Sequence, residues 1–179
     1  MSSEKLDRDA LVHQNRELIR IVRRVAAITS FVFQAYYPIK EMKGRSDGYF
    51  CSTNKMGIPL LIFGVGRLTQ NETMLNLRLC QEKAARLATN LFVGHHSSFE
   101  SRNERHGENP GAIYLQDHIF SFSGFMPPLL DEAAMLVVAE EYFGVEKVRN
   151  ETEFIAELST NLHYHQLHYF MTIDHAREF

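Results

Sequence analysis

Nine histidines in a chain of 179 residues are the first side chains to ask what chemistry is present. His95 and His96 stand together in VGHHSSFESRNERHGENPG, with His106 in the same stretch. His163, His165, His168 and His175 crowd the C-terminus. Imidazole ligates metals, haem iron among them. Neighbours on an extended chain point opposite ways, so at most one of His95 and His96 faces a given site. His165 and His168 share a face if their segment is helical, as a pair of metal ligands would. A structural metal site ordinarily takes four ligands, so helix packing or a subunit contact is the plainer expectation. The adjacent carboxylates Asp131–Glu132 and Glu140–Glu141 diverge around a helix and read as helix-end charges.

The familiar catalytic signatures are incomplete. Gly64 and Gly66 begin a dinucleotide-type loop, but Thr69 stands at the third glycine's place. SFSGF lacks the Gly-x-Ser-x-Gly of a nucleophile elbow. With no nucleophile–base pair to name, a non-catalytic role is expected.

Composition bounds the rest. With 45% hydrophobic and 23% charged residues the chain is ordinary globular material, long enough to bury a core without staples. A net charge of −3 and pI near 6.3 give no general attraction to nucleic acid or anionic membranes. Cys51 and Cys80 have no metal-ligand spacing and suit free thiols in a reducing compartment. The first residues lack the apolar stretch of a signal peptide, and apolar runs such as PLLIF are too short to span a bilayer. A cytoplasmic protein is expected.

Periodicity supplies the elements. Leu11, Leu18, Val22 and Val25 predict a helix over 5–29, with Arg16, Arg20, Arg23 and Arg24 off its apolar stripe. FVFQAYYPIK reads equally as strand or helix end. GYFCST and IPLLIFGVG predict a hairpin turning at NKMG, its second strand apolar on both faces and so expected at the centre of a sheet. Thr69 or Asn71 caps a helix over 69–90 whose stripe is Leu77, Cys80, Ala84, Leu87 and Leu91. Cys80 on that stripe reads as a buried small hydrophobe.

The long polar stretch between Gly94 and Gly111 is expected at the rim, where such loops serve function. A second hairpin turns at Gln116–Asp117, with Ile119 and Ser121 facing away from Phe120 and Phe122. Pro127 and Pro128 open a helix whose middle, AAMLVVA, is apolar all round and therefore buried, and Gly144 ends it. A last helix from Glu151 carries Phe154, Ile155, Leu158 and Leu162. Short hairpin connections demand antiparallel pairing, so residues 1–179 are expected to form a single α/β (α+β) domain. Its mainly antiparallel sheet of two hairpins packs with helices as a profilin-like sandwich.

The strings KMGIPLLIFGVG, QEKAARLATN, GHHSSFESR, PGAIYLQDHIFSFSGF and LLDEAAMLVVA, between Gly48 and Gly144, resemble the GlcG/HbpS-like family, which includes the C-terminal domain of PduO-type proteins. The chain departs from that pattern at Ser52–Thr53–Asn54, where the family carries Asp and Gly-Gly. It also lacks an Arg-Met-Asp stretch and adds a C-terminal helical extension. The resemblance implies haem binding in a homo-oligomer. Lys83, Arg86, His95, His96 and Arg102 would flank the ligand, Arg and Lys holding propionates or another carboxylate and His95 or His96 approaching iron. The expected function is thus a haem- or small-acid-binding oligomer. An oligomeric scaffold without a ligand is the alternative, and an enzyme on a small anionic substrate a third reading.

Overall fold

A computed structural model describes residues 8–34 and 47–177. Helix α1 (Arg8–Gln34) precedes strands β1 (Gly48–Asn54) and β2 (Pro59–Val65). After α2 (Gln70–Asn90) come β3 (Ala112–Leu115) and β4 (His118–Ser123), and then α3 (Leu129–Phe143), α4 (Val145–Leu158) and α5 (Leu162–Arg177). The two hairpins join into one antiparallel sheet of order β2-β1-β4-β3, which is the expected α+β architecture.

Alternation along the strands sorts the sheet's two faces. Phe50, Phe120 and Phe122 share a core with α1, α3, α4 and α5, whereas Ala112 and Ile119 pack with Ala84 and Leu87 of α2. Ser121 also points to that second face, its hydroxyl donating to Cys80 O at 2.8 Å. The second hairpin turns tightly because Gln116 and Asp117 adopt φ of 49° and 61°, the two positive values of a type I′ turn. Thr69 starts α2 with a full capping box: its hydroxyl accepts from Glu72 N, and Glu72 accepts from Thr69 N.

Four expectations are corrected. First, β2 is an edge strand, not a central one. Helix α2 packs on β1, β4 and β3, so the second apolar face of β2 is left open and Leu60 stays 53% exposed. Second, Phe31, Val32 and Phe33 belong to α1, with Val32 and Phe33 buried; Leu11 is exposed, and Arg24 is half-buried on Asp174 at 2.8 Å. The remainder of FVFQAYYPIK, from Ala35, lies outside the described residues.

Third, the C-terminal region is two helices broken at Ser159–Asn161, where Thr160 has φ 51°. The break turns the chain back, so Val148, Thr152, Ile155 and Ala156 face inward while Phe154, Leu158 and Leu162 are exposed. Fourth, Asp131, Glu132 and Glu140 are buried. Every residue of α3 from Leu130 to Glu140 is enclosed, so a carboxylate anywhere in that stretch has no solvent side to reach. Among the described residues no helix is long and apolar enough to cross a membrane.

Candidate functional site

The buried charges of α2 and α3 meet at the C-terminal end of β4. Lys83 follows Cys80 by three residues and so shares the buried face of α2. Its ammonium donates to Asp131 Oδ2 at 2.7 Å and to Phe122 O at 2.9 Å, and both charged side chains are 3% exposed. Asp131 Oδ1 accepts from Phe125 N at 2.8 Å. Burial pushes the Asp131 carboxyl above the ordinary aspartate range, against the pull of Lys83 and of the Phe125 and Gly124 amides. Gly111, at φ 132°, lets the backbone pass directly over this pair: a Cβ there would lie 2.7 Å from Lys83 Nζ and 2.8 Å from Asp131 Cβ.

Beside the pair lies a cavity of about 80 Å³, lined by Asn76, Lys83, Asn109, Ser123, Gly124 and Asp131 itself, with Leu75, Leu79 and Met126 among its apolar walls. Its acceptors are largely occupied, while donors are left over. Ser123 Oγ donates to Asn76 Oδ1 at 3.4 Å, which leaves the Asn76 amide N–H₂ available, and Asp131 already accepts from Lys83 and backbone amides. An excess of donors around a small space is the chemistry of a carboxylate or carbonyl site.

No family model, curated protein or solved structure matches this chain. Geometry alone must therefore assign the site.

The five residues expected to flank a ligand do not converge. Lys83 lies in the cavity just described, its charge committed to Asp131. Arg86 is a staple for the long loop, donating to Ser98 O at 2.7 Å, Ser101 Oγ at 3.0 Å and Asn109 O at 2.7 Å while pairing with Glu82 at 2.6 Å. Arg102 is exposed and lies over the Phe99 ring, 3.6 Å from its centroid. His95 and His96 have different surroundings. The His96 ring meets Phe154 edge-on, whereas His95 Nδ1 is buried without a hydrogen-bond partner.

The loop itself is only partly at the rim. Ser97 and Ser98 are fully buried because Ser97 bridges two carboxylates: its amide donates to Glu100 at 2.9 Å and its hydroxyl to Glu132. Glu132 also accepts from Asn161 Nδ2 at 3.1 Å. Among the described residues no cation pairs with it, and desolvation pushes its carboxyl above the ordinary glutamate range, opposed by the hydrogen bonds from Ser159, Ser97 and Asn161.

A raised carboxyl binds its proton more tightly folded than unfolded. Its stabilising share is thus present below the unfolded value and lost as pH rises through the folded one. Urea unfolding across this range should show stability falling with rising pH, and Glu132→Gln should flatten that fall. An unchanged profile in the variant would remove Glu132 as its source.

The C-terminal histidines separate as well. His165 is exposed, while His168 Nδ1 pairs with buried Glu140 Oε2 at 2.8 Å. Glu140 Oε1 accepts from Tyr164 OH at 2.6 Å and Thr152 Oγ1 at 2.9 Å. Burial, then the neighbouring Glu140, push the Tyr164 phenol well up, so it stays a donor. This cluster ties α3, α4 and α5 together. Among the described residues no three His, Cys, Asp or Glu side chains come together as metal ligands. Cys80 is buried, its thiol raised first by desolvation, as an inert core residue should be.

Proposed function

We propose that this protein is a non-catalytic binder of a short-chain carboxylic acid, held in the cavity over Lys83. The supporting observation is a 2% exposed lysine at the wall of a small, donor-rich space. The acid's carboxylate would take the Asn76 amide N–H₂ and the third N–H of the Lys83 ammonium, and its carbon chain would lie on Leu75, Leu79 and Met126. The cavity has room for a few water-sized groups, which suits a short acid.

Haem fits neither the Lys83 cavity nor the cleft beside His96 well. The Lys83 cavity is too small for a macrocycle, and the wider cleft beside His96 is lined by Asp117 and Glu151, carboxylates that oppose propionates. A haemin titration with no Soret shift is the expected result; a shift abolished by His96→Ala would reinstate haem.

Propionate and propylamine, matched in size and opposite in charge, test the acid reading. Propionate should bind saturably and propylamine should not, by calorimetry or by amide chemical shifts around residues 123–126. The double variant Lys83→Met/Asp131→Leu replaces the ion pair with apolar groups, an exchange that commonly preserves folding, and should bind no propionate. A folded double variant that still binds it, or wild-type protein that prefers propylamine, sinks the reading.

Assembly as a homo-oligomer is supported by β2. Its outer edge pairs with no strand among the described residues, and PLLIFGV carries none of the charges that ordinarily protect an edge. Leu60→Lys is expected to shift the mass seen by light scattering toward the monomer; an unchanged mass would remove β2 from the interface.

A further inference from the structure

A second cleft opens at the other end of β4. It measures about 380 Å³ and is lined by His96, Tyr114, Gln116, Asp117, Glu151 and Phe154 among others. Residues 118 and 123 mark the two ends of the strand, five steps or about 17 Å apart. The cleft at the β3–β4 turn is therefore separate from the cavity over Lys83.

Its chemistry is the opposite of that cavity's. Three aromatic rings stand in its wall. The His96 and Phe154 centroids are 5.7 Å apart at 84°, so the imidazole edge rests on Phe154 or the phenyl edge on His96, and Phe154 remains 47% exposed. The Tyr114 hydroxyl donates to Asp117 Oδ1 at 3.0 Å. Two carboxylates complete the lining, and no lysine or arginine belongs to it. Lys55 reaches Asp117 from outside the cleft, at 3.3 Å. That contact is highly exposed on both sides and so is weakly held. Among the described residues Glu151 receives only the Gln116 amide, at 3.4 Å.

Aromatic faces attract cations through their quadrupoles, and the carboxylates beside them, Asp117 paired only weakly with the exposed Lys55, add direct attraction and hydrogen-bond acceptors. We propose that this cleft binds an organic cation, an ammonium or guanidinium group on a short apolar body, with the charge at Asp117 and Glu151 and the body against Phe154. The same lining discriminates against an anion of equal size. The Gln116–Asp117 turn sets the specificity: its two positive φ values hold the first carboxylate over the end of the sheet, and the first turns of α4 supply the second.

Benzylamine and phenylacetate, one aromatic body with opposite charges, test this on the full chain. Benzylamine should bind saturably, with amide shifts confined to residues 114–117 and 151–155, and phenylacetate should bind at least tenfold more weakly. Asp117→Asn/Glu151→Gln should weaken benzylamine at least tenfold, and Phe154→Ala severalfold. These side chains are exposed or at the rim, so circular dichroism should be unchanged. Lys83→Met/Asp131→Leu should leave benzylamine binding intact, which keeps the two sites distinguishable. Equal binding of both probes, failure of benzylamine to bind, or binding indifferent to loss of both carboxylates would overturn the proposal.

Discussion

Asp131→Ala is expected to cost about 3–5 kcal/mol of folding stability, read by urea unfolding at neutral pH. The size follows from what is left behind. Lys83 is 2% exposed and has Phe122 O as its other acceptor, so removing the carboxylate strands an ammonium in a low-dielectric site. The Phe125 amide, which donates to Asp131 Oδ1 at 2.8 Å, loses its partner in the same step. Replacing both charges is a different experiment. Lys83→Met/Asp131→Leu leaves no uncompensated charge, and apolar pairs of similar volume are often neutral or stabilising at buried positions. The double variant should thus recover most of the loss while binding no propionate. A single variant within about 1 kcal/mol of the wild type, the range of exposed pairs, would mean that water reaches the pair and screens it.

That contrast bears on what a sequence shows. The sheet was legible because turn chemistry and alternation are local. Gln116–Asp117 between GAIYL and HIFSFSG is enough to pair β3 with β4, and Thr69 with Glu72 is enough to start α2. The Lys83–Asp131 pair was not legible in the same way. Its partners are 48 positions apart, and lysine is almost never fully buried unless paired, so residue type argues for the surface.

A usable signal existed all the same. Cys80 and Ala84 were assigned to the buried stripe of α2, and Lys83 lies between them on that face. AAMLVVA, apolar all round, allows α3 no wet side, so the flanking Asp131, Glu132 and Glu140 had to be buried with it. Asp131, Glu132 and Glu140 resemble helix-end charges by position alone, and the enclosure of the whole helix is what buries them. The edge position of β2 had no such signal. It follows from α2 lying over the other three strands, which is settled by packing alone.

Gly111→Ala should be strongly destabilising for a single-methyl change. A Cβ at this position would stand 2.8 Å from Asp131 Cβ and 2.9 Å from Phe122 O, and neither atom has a flexible end to swing aside. Lys83 Nζ, at 2.7 Å, is able to move, but only by breaking its bonds to Asp131 and Phe122. The backbone adds a second penalty, since φ of 132° is a region L-residues rarely occupy, at about 1–3 kcal/mol. Overpacking a filled site adds about 1–3 kcal/mol. Together they predict a loss of about 2–6 kcal/mol and, in any protein that still folds, no propionate binding. Gly107→Ala controls for the added methyl at positive φ: at φ 73° it lies in the milder left-handed region, and no atom lies within 4 Å of the added methyl. If both variants lose the same stability, the close approach over Lys83 contributes nothing. A Gly111→Ala loss that exceeds the control's, with Lys83 displaced, ties the crossing of the loop to the shape of the cavity beneath it.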